Sequence, residues 1–376
     1  MEIYTVRSGD SLWAVSRRFG STVEKLAYIN QLTDPSRLVP GMSLVIPTGS
    51  RPAESMEING YAYPNISNAA LDEALPYLSY LSPFSYNASA DGYLSELYDT
   101  RLLDAAAQSG TAALMNVTNM GDSGGFSGSI AHSLLTDQRS QDRLLESIFA
   151  VLREKNYYGV NFDFEYVFPY DKGSYSQFLG RASAELHSRG YFLSSAVAPK
   201  VSDNQQGLLY AAHDYAAHGR YCDRVIIMTY EWGYTYSAPQ AVSPVDRMRQ
   251  VLDYAVTRID PGKILLGFSN YGYRWQLPWR QGQAAQVISN VAAANLAASV
   301  GASVAFDSKA QAPYFRYTDA AGQRREVWYE DGRSVRSRLQ LVSEYGLAGI
   351  SLWTLNQLNR PMLEVIGGTY IGEKLI

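Results

Sequence analysis

Eight short apolar runs alternate with helix-patterned stretches along most of the chain, and this alternation limits the fold more than any single motif does. The runs cover residues 57–61, 80–84, 112–117, 159–164, 192–198, 224–229, 264–268 and 349–353. Each has strand length and is rich in β-branched or aromatic residues. Between them lie stretches of helical periodicity, among them 100–108, 138–155, 175–188, 244–258 and 334–345. Parallel strands need crossover helices, so the pattern predicts an α/β fold, a (β/α)8 TIM barrel. An open doubly wound sheet is the alternative, weakened because no Gly-x-Gly-x-x-Gly follows an early strand. One interval is too long for a single crossover. Residues 281–300 are Ala-rich and helix-like, whereas 312–317 and 326–329 are strand-like. They predict a small α+β insertion between strands 7 and 8, at about 280–333.

Residues 1–48 follow a different order: strand, helix, helix, strand. Tyr4-Thr5-Val6 is strand-like and Ser8-Gly9-Asp10 is a turn. Asp10 can cap a helix over 11–18, which Gly20 ends. Ser21 and Glu24 have capping-box spacing for a second helix through Ile29. Pro40-Gly41 turns the chain into a returning strand at 44–46. Residues 49–56 read as a linker too short to let the two parts roam. The barrel domain then occupies 57–376.

Charge excludes some partners. Thirty-two basic and 36 acidic residues give −4, which argues against nucleic acid or an anionic membrane as partner. Cys222 is the single cysteine, so no intrachain disulfide forms. With only four histidines beside it, a dedicated zinc site is not expected. No apolar run is long enough for a transmembrane helix, and Met1-Glu2-Ile3-Tyr4 does not open a secretory leader. No metal, cofactor or obligate protein partner is implied. The 29 tyrosines and 6 tryptophans suit a half-wet sugar-binding cleft, although such rings also pack cores.

Barrel active sites lie at the C-terminal ends of the strands. The fourth run reads Tyr158-Gly-Val-Asn-Phe-Asp-Phe-Glu-Tyr166. Period-2 geometry puts Asn161, Asp163 and Glu165 on one face, and Phe162 and Phe164 on the other. Interior carboxyl groups are costly unless their charge is shared or used. The one that ionises second keeps its proton to higher pH, as a general acid must. Asn161 can hydrogen-bond Asp163. A structural hydrogen-bond network in the barrel core would use the same residues. Met228 and Trp353 can likewise be core or site lining. The loop from Ser123 to Gly128 can border the cleft or lie on the surface.

Two family resemblances rest on these residues. Tyr4-Thr-Val-Arg-Ser-Gly-Asp-Ser-Leu-Trp13, Ile29-Asn30 and Leu38-Val-Pro-Gly-Met-Ser-Leu-Val-Ile-Pro47 resemble the LysM module, whose members bind N-acetylglucosamine-containing polymers, peptidoglycan or chitin. The resemblance implies a glycan groove between Gly9, Asp10, Ser11 and Leu12 on one side and Ile29 and Asn30, through 32, on the other. Such a module would tether the chain to glycan and raise its local concentration.

The fourth run resembles the Asp-x-x-Asp-x-Asp-x-Glu signature of the chitinase-like glycoside hydrolases of family 18. Met228-Thr-Tyr-Glu-Trp232, Asn270-Tyr-Gly-Tyr273 and Gly349-Ile-Ser-Leu-Trp353 extend the likeness over about 57–367. It implies that Glu165 is the acid/base, that Asp163 orients the substrate's 2-acetamido group and that Tyr230 holds the acetamido oxygen. That oxygen is the nucleophile, so configuration is retained. Trp353 would floor the sugar subsite, with Met228, Glu231, Trp232, Asn161 and Asn270 also binding substrate. Asn161 and Tyr158 stand where the family has aspartates, and Glu231 replaces another. Within the family the chain looks like the bacterial spore cortex-fragment-lytic N-acetylglucosaminidases, with one LysM module where two are usual. That branch implies peptidoglycan as partner and a spore location, in coat or cortex; otherwise the cell wall is expected. A chitinase acting on chitooligosaccharides and a non-catalytic glycan-binding barrel are the alternatives.

Overall fold

The computed structural model describes residues 1–49, 52–121 and 124–376. Eight parallel strands form the barrel: Ser55–Ala62, Tyr80–Pro83, Ala112–Thr118, Gly159–Asp163, Phe192–Val197, Arg224–Ile227, Ile264–Ser269 and Gly349–Trp353. Each pairs with the next in sequence, and the eighth closes on the first. Closure needs a glycine, because a Cβ on Gly349 would lie 1.8 Å from the Glu57 carbonyl oxygen. The TIM-barrel expectation therefore stands and the open sheet is excluded.

Amphipathic helices wrap the barrel. Gln138–Lys155 shows the logic: Asp137 caps its start by accepting from the Ser140 amide, and Leu144, Leu145, Ile148, Phe149 and Leu152 face the core. Among the described residues no helix is long and apolar enough to cross a membrane.

The insertion lies between strands 7 and 8, but it begins earlier than its sequence suggests. Gly272–Leu277 already belongs to it, as the second strand of an antiparallel five-stranded sheet. Tyr273 and Trp275 are buried there, so the run reads as a tail of the seventh barrel strand when alternation alone is consulted. The helix is also shorter than the Ala-rich stretch. It spans Asn290–Val300 behind a Ser289 cap, and Gln286–Ile288 forms an edge strand instead.

In the N-terminal module, strand Glu2–Thr5 pairs antiparallel with Ser43–Ile46, around helices Leu12–Arg18 and Val23–Ile29. Both caps fall one residue later than expected. Ser11, not Asp10, caps the first helix; Thr22, not Ser21, caps the second by accepting from the Lys25 amide. Asp10 instead closes its own turn, accepting from the Tyr4 hydroxyl and the Arg7 amide, each at 2.7 Å.

The module is docked, not tethered. Its core residues Tyr4, Leu26 and Leu44 are continuous with Ala293, Ala297, Phe315 and Tyr329 of the insertion. The Val304 amide donates to the Pro40 carbonyl at 2.9 Å, and Arg333 donates to the Gly41 carbonyl at 2.9 Å. The Asn295 amide accepts from the Thr33 N–H and donates to the Gln31 carbonyl, each at 2.9 Å. The expected linker includes Ser50 and Arg51, which lie outside the described residues; by Ser55 the first barrel strand has begun.

Packing within the module, with docking at Ile29, departs from the expected glycan groove. Leu12 and Ile29 are buried, and Ile29 packs with barrel residues. Asn30 is buried too, its side-chain amide spent on the Leu26 carbonyl and on both backbone groups of Val45. Gly9 and Ser11 are exposed and Asp10 half-buried, so only these three of the six remain reachable.

Gly41 has φ +83°, and a Cβ there would sit 1.8 Å from the Val304 carbonyl oxygen. Gly41→Ala is expected to cost about 2 kcal/mol or more and to lower Tm in scanning calorimetry. An unchanged Tm would contradict the docked arrangement.

Candidate active site

The fourth strand places the site. Phe162 and Phe164 point outward and pack on Phe178 of helix Lys172–His187, with ring centroids 5.2 and 6.4 Å away. Asp163 points into the mouth of the barrel, and Glu165 follows just past the strand end. Both line a pocket of about 690 Å³, counted to its open mouth, together with Tyr61, Phe126, Met228, Tyr230, Glu231, Tyr271 and Trp353.

The backbone at Glu165 is held by side chains from neighbouring connections. Asn119, just beyond the third strand, accepts from the Glu165 N–H at 2.9 Å and donates to its carbonyl at 2.8 Å. His213 donates from Nε2 to the Phe164 carbonyl and accepts at Nδ1 from the Ala198 amide, each at 2.9 Å. Burial pushes the His213 imidazole down to about 4, which keeps it neutral in that one tautomer. Sequence reasoning missed both residues. Asn119 follows the apolar third run and His213 lies in a loop; neither position announces its partner.

Electrostatics inside the pocket favour a retained proton. Burial raises the Asp163 carboxyl to about 7, and its Oδ1 has no hydrogen-bond partner in the protein. Burial raises Glu165 well above the ordinary carboxylate range, and the charges of Asp163 and Glu231 raise it further. Glu231 is also raised by burial, against the hydroxyls of Tyr271 and Tyr273, which donate to it. The arrangement can deliver a proton from Glu165 at near-neutral pH while Asp163 waits for a donor from a ligand.

Trp353 closes one side, packed edge-on against Phe84, Tyr61 and Tyr63 with centroids 4.8, 5.3 and 6.0 Å away. Its accessible face and the neighbouring Met228 give the pocket an apolar floor. Tyr61, from the first strand, went unrecognised in the sequence. Phe126 brings the glycine-rich loop to the cleft wall; Ser123, where that loop was expected to start, lies outside the described residues.

Three expected site residues fall elsewhere. Asn161 does not touch Asp163. Its amide donates to the Tyr61 hydroxyl at 2.9 Å and to Asn116 at 2.6 Å, and accepts from Ser194 at 2.8 Å. It shares the strand face with Asp163 but lies one layer deeper, beneath the pocket. Asn270 ties the seventh strand to the loop after the eighth, donating to the Thr354 and Gln357 carbonyls at 2.8 Å each. Trp232 lines a neighbouring hollow instead of the main pocket. Among the described residues no cluster of His, Cys, Asp or Glu is arranged to hold a metal ion.

Known proteins share this architecture. The profile of glycosyl hydrolases family 18 matches residues 62–357, and that of the LysM domain matches residues 4–47. The cortical fragment-lytic enzyme of Bacillus subtilis (strain 168) is 40% identical over 94% of this chain and 95% of its own length. That of Bacillus anthracis is 37% identical over the same shares. The crystal structure of the Bacillus megaterium QM B1551 spore cortex-lytic enzyme SleL superposes with a TM-score of 0.82 at 34% identity, covering 100% of this chain and 87% of that one. A chitinase from Chromobacterium violaceum ATCC 12472 gives 0.78 at 28% identity, over 84% and 99%.

Two expectations follow from the geometry. Asn119→Ala leaves the Glu165 N–H and carbonyl unpaired, and kcat should fall by about one to two powers of ten with KM nearly constant; an equal rise in KM would point to a substrate contact instead. An acid at Glu165 would donate only while protonated, so activity that depends on it would be kept below its ionisation and lost above it. Glu231 raises that ionisation, so Glu231→Gln should move the alkaline limb of kcat/KM to lower pH. A limb that stays in place would uncouple Glu231 from the acid.

Proposed function

The chain belongs to the glycosyl hydrolases of family 18, with a LysM domain ahead of the barrel, and on that premise we propose that it hydrolyses spore-cortex peptidoglycan as a retaining β-N-acetylglucosaminidase. The observation that carries this is the pair Asp163 and Glu165, gathered with Tyr230 in one pocket, each with its proton affinity raised by confinement. The names of relatives that match nearly the full chain support the substrate.

In this reading an N-acetylglucosamine unit stacks on Trp353, its C–H face against the ring. Glu165 protonates the glycosidic oxygen. Asp163 and Tyr230 hold the 2-acetamido group so that its carbonyl oxygen attacks the anomeric carbon, forming an oxazolinium ion. Glu165, now a carboxylate, takes a proton from the water that opens the ion, and configuration is retained. Asn161 has no part in moving that proton, since it does not reach Asp163. The non-catalytic alternative is weakened by the presence of both carboxyl groups in the pocket and by the lytic-enzyme names of relatives that match nearly the full chain. The exposed rim of the LysM module at Gly9 and Ser11 is the surface left for glycan, and the spore is the proposed place of action.

Purified protein incubated with cortex muropeptides should release fragments ending in reducing N-acetylglucosamine, identified by mass spectrometry. Glu165→Gln, with an unchanged Tm, should lower the rate by about 10² to 10⁴. Cleavage of chitotetraose but not of muropeptides would move the substrate to chitin. Full activity in Glu165→Gln would remove Glu165 from the mechanism.

A further inference from the structure

A second hollow opens from the catalytic pocket on the side away from Trp353. It holds about 590 Å³ counted to its mouth and shares Pro199, Tyr230 and Glu231 with the catalytic pocket. Trp353 and Met228 line only the first space; Trp232, Arg247 and Gln250 line only the second.

Arg247 sets the chemistry of this hollow. It stands in the first turn of helix Val245–Ala255, with its side chain exposed. Among the described residues it forms no ion pair, and its side chain makes a single long hydrogen bond, 3.5 Å, to Gln250. Nearby acids are already engaged. Asp203 pairs with Arg258 at 2.5 Å, Asp246 with Lys309 at 3.5 Å, and Glu231 is held by Tyr271 and Tyr273. A guanidinium offers five donors in a rigid fork that matches a carboxylate, and here nearly all of them are unspent.

Resting on the peptidoglycan reading above, we propose that this hollow receives the 3-O-lactyl substituent of the muramyl residue on the leaving-group side of the cleaved bond, and that Arg247 binds a carboxylate carried on it. With N-acetylglucosamine on Trp353 and the scissile oxygen at Glu165, the next sugar lies past Glu231, where the hollow opens. In peptidoglycan that sugar is muramic acid. It differs from N-acetylglucosamine by a lactyl ether that ends in a carboxyl group or in a peptide bearing carboxylates. Chitin has neither, and would leave the hollow hydrated and Arg247 unpaired. The lactyl carboxylate and a peptide carboxylate offer the same chemistry to a guanidinium, and the substrates distinguish them.

The test uses the full chain and muropeptide tetrasaccharides in two pairs: peptide-bearing with the peptide carboxylates free or amidated, and peptide-free with the lactyl carboxylate free or amidated. In one of the pairs wild type should favour the free over the amidated form by about tenfold in kcat/KM, through KM. In Arg247→Gln that ratio should fall to about one, and Arg247→Lys should restore part of it. Ratios in both pairs that are the same in wild type and Arg247→Gln would overturn the proposal. Preference within the peptide-free pair assigns the lactyl carboxylate; preference within the peptide-bearing pair assigns the peptide. Binding of the four forms to Glu165→Gln protein, with and without Arg247→Gln, separates the two readings. If wild type cleaves no muropeptide, the substrate reading falls. A carboxylate preference in binding that Arg247→Gln abolishes still upholds the site, and its absence overturns it.

Discussion

Two carboxyl groups two residues apart, one at the end of the fourth barrel strand and one just past it, line the same pocket, and they cannot both be charged there without cost. Everything near the barrel mouth answers to that repulsion. Burial favours the neutral forms of Asp163 and Glu165, and the charge of Asp163 raises the proton affinity of Glu165 further. Among the described residues no cation lines the pocket to relieve them. A barrel suits such a pair because its strands are hydrogen-bonded on both sides, so the backbone cannot shift to let the carboxyls separate. Asn119 and His213 extend that rigidity past the strand end, where the ladder no longer holds Glu165.

The insertion completes the electrostatics. Its first strand begins at Gly272, immediately after the seventh barrel strand, and delivers Tyr273 beside Tyr271. Both phenols donate to Glu231, whose own backbone is held at φ 68°. A third carboxylate is thereby held in place near Glu165. The insertion is fixed in turn by Arg338, fully buried, which pairs with Glu330 at 2.8 Å and donates to the Ser243 carbonyl beyond the sixth strand. Wall and floor of the cleft are thus parts of one frame.

The order of elements was legible because burial on both faces of a parallel strand leaves a compact apolar run, and all eight runs fall on strands. Facing was legible too, since alternation decides which side Asp163 takes. Depth was not. Asn161 and Asp163 share a face, yet one meets the floor network and the other the pocket, and that depends on where the strand sits along the barrel axis. Asn270 and Asn30 show a related limit: a polar side chain beside a motif is equally able to bind ligand or to satisfy backbone groups, and only the distant Thr354, Gln357 and Val45 decide. Asn119 and His213 escaped notice for the converse reason, because what they hold is backbone and carries no sequence signature. Helix starts slipped by one residue because adjacent Asp10 and Ser11, or Ser21 and Thr22, are equally good caps until the turn before them is known.

The docked LysM module changes how a second contact with glycan would act. A module on a slack tether samples many separations, so it adds some avidity for polymers of almost any length. Here Pro40, Gly41, Gln31 and Thr33 are bonded to the barrel side, and the distance from the exposed rim at Gly9 and Ser11 to the pocket is set by the fold. For a glycan held at that rim the module acts as a ruler. A strand shorter than the gap gains nothing from it, and one that spans the gap gains the whole benefit in a single step.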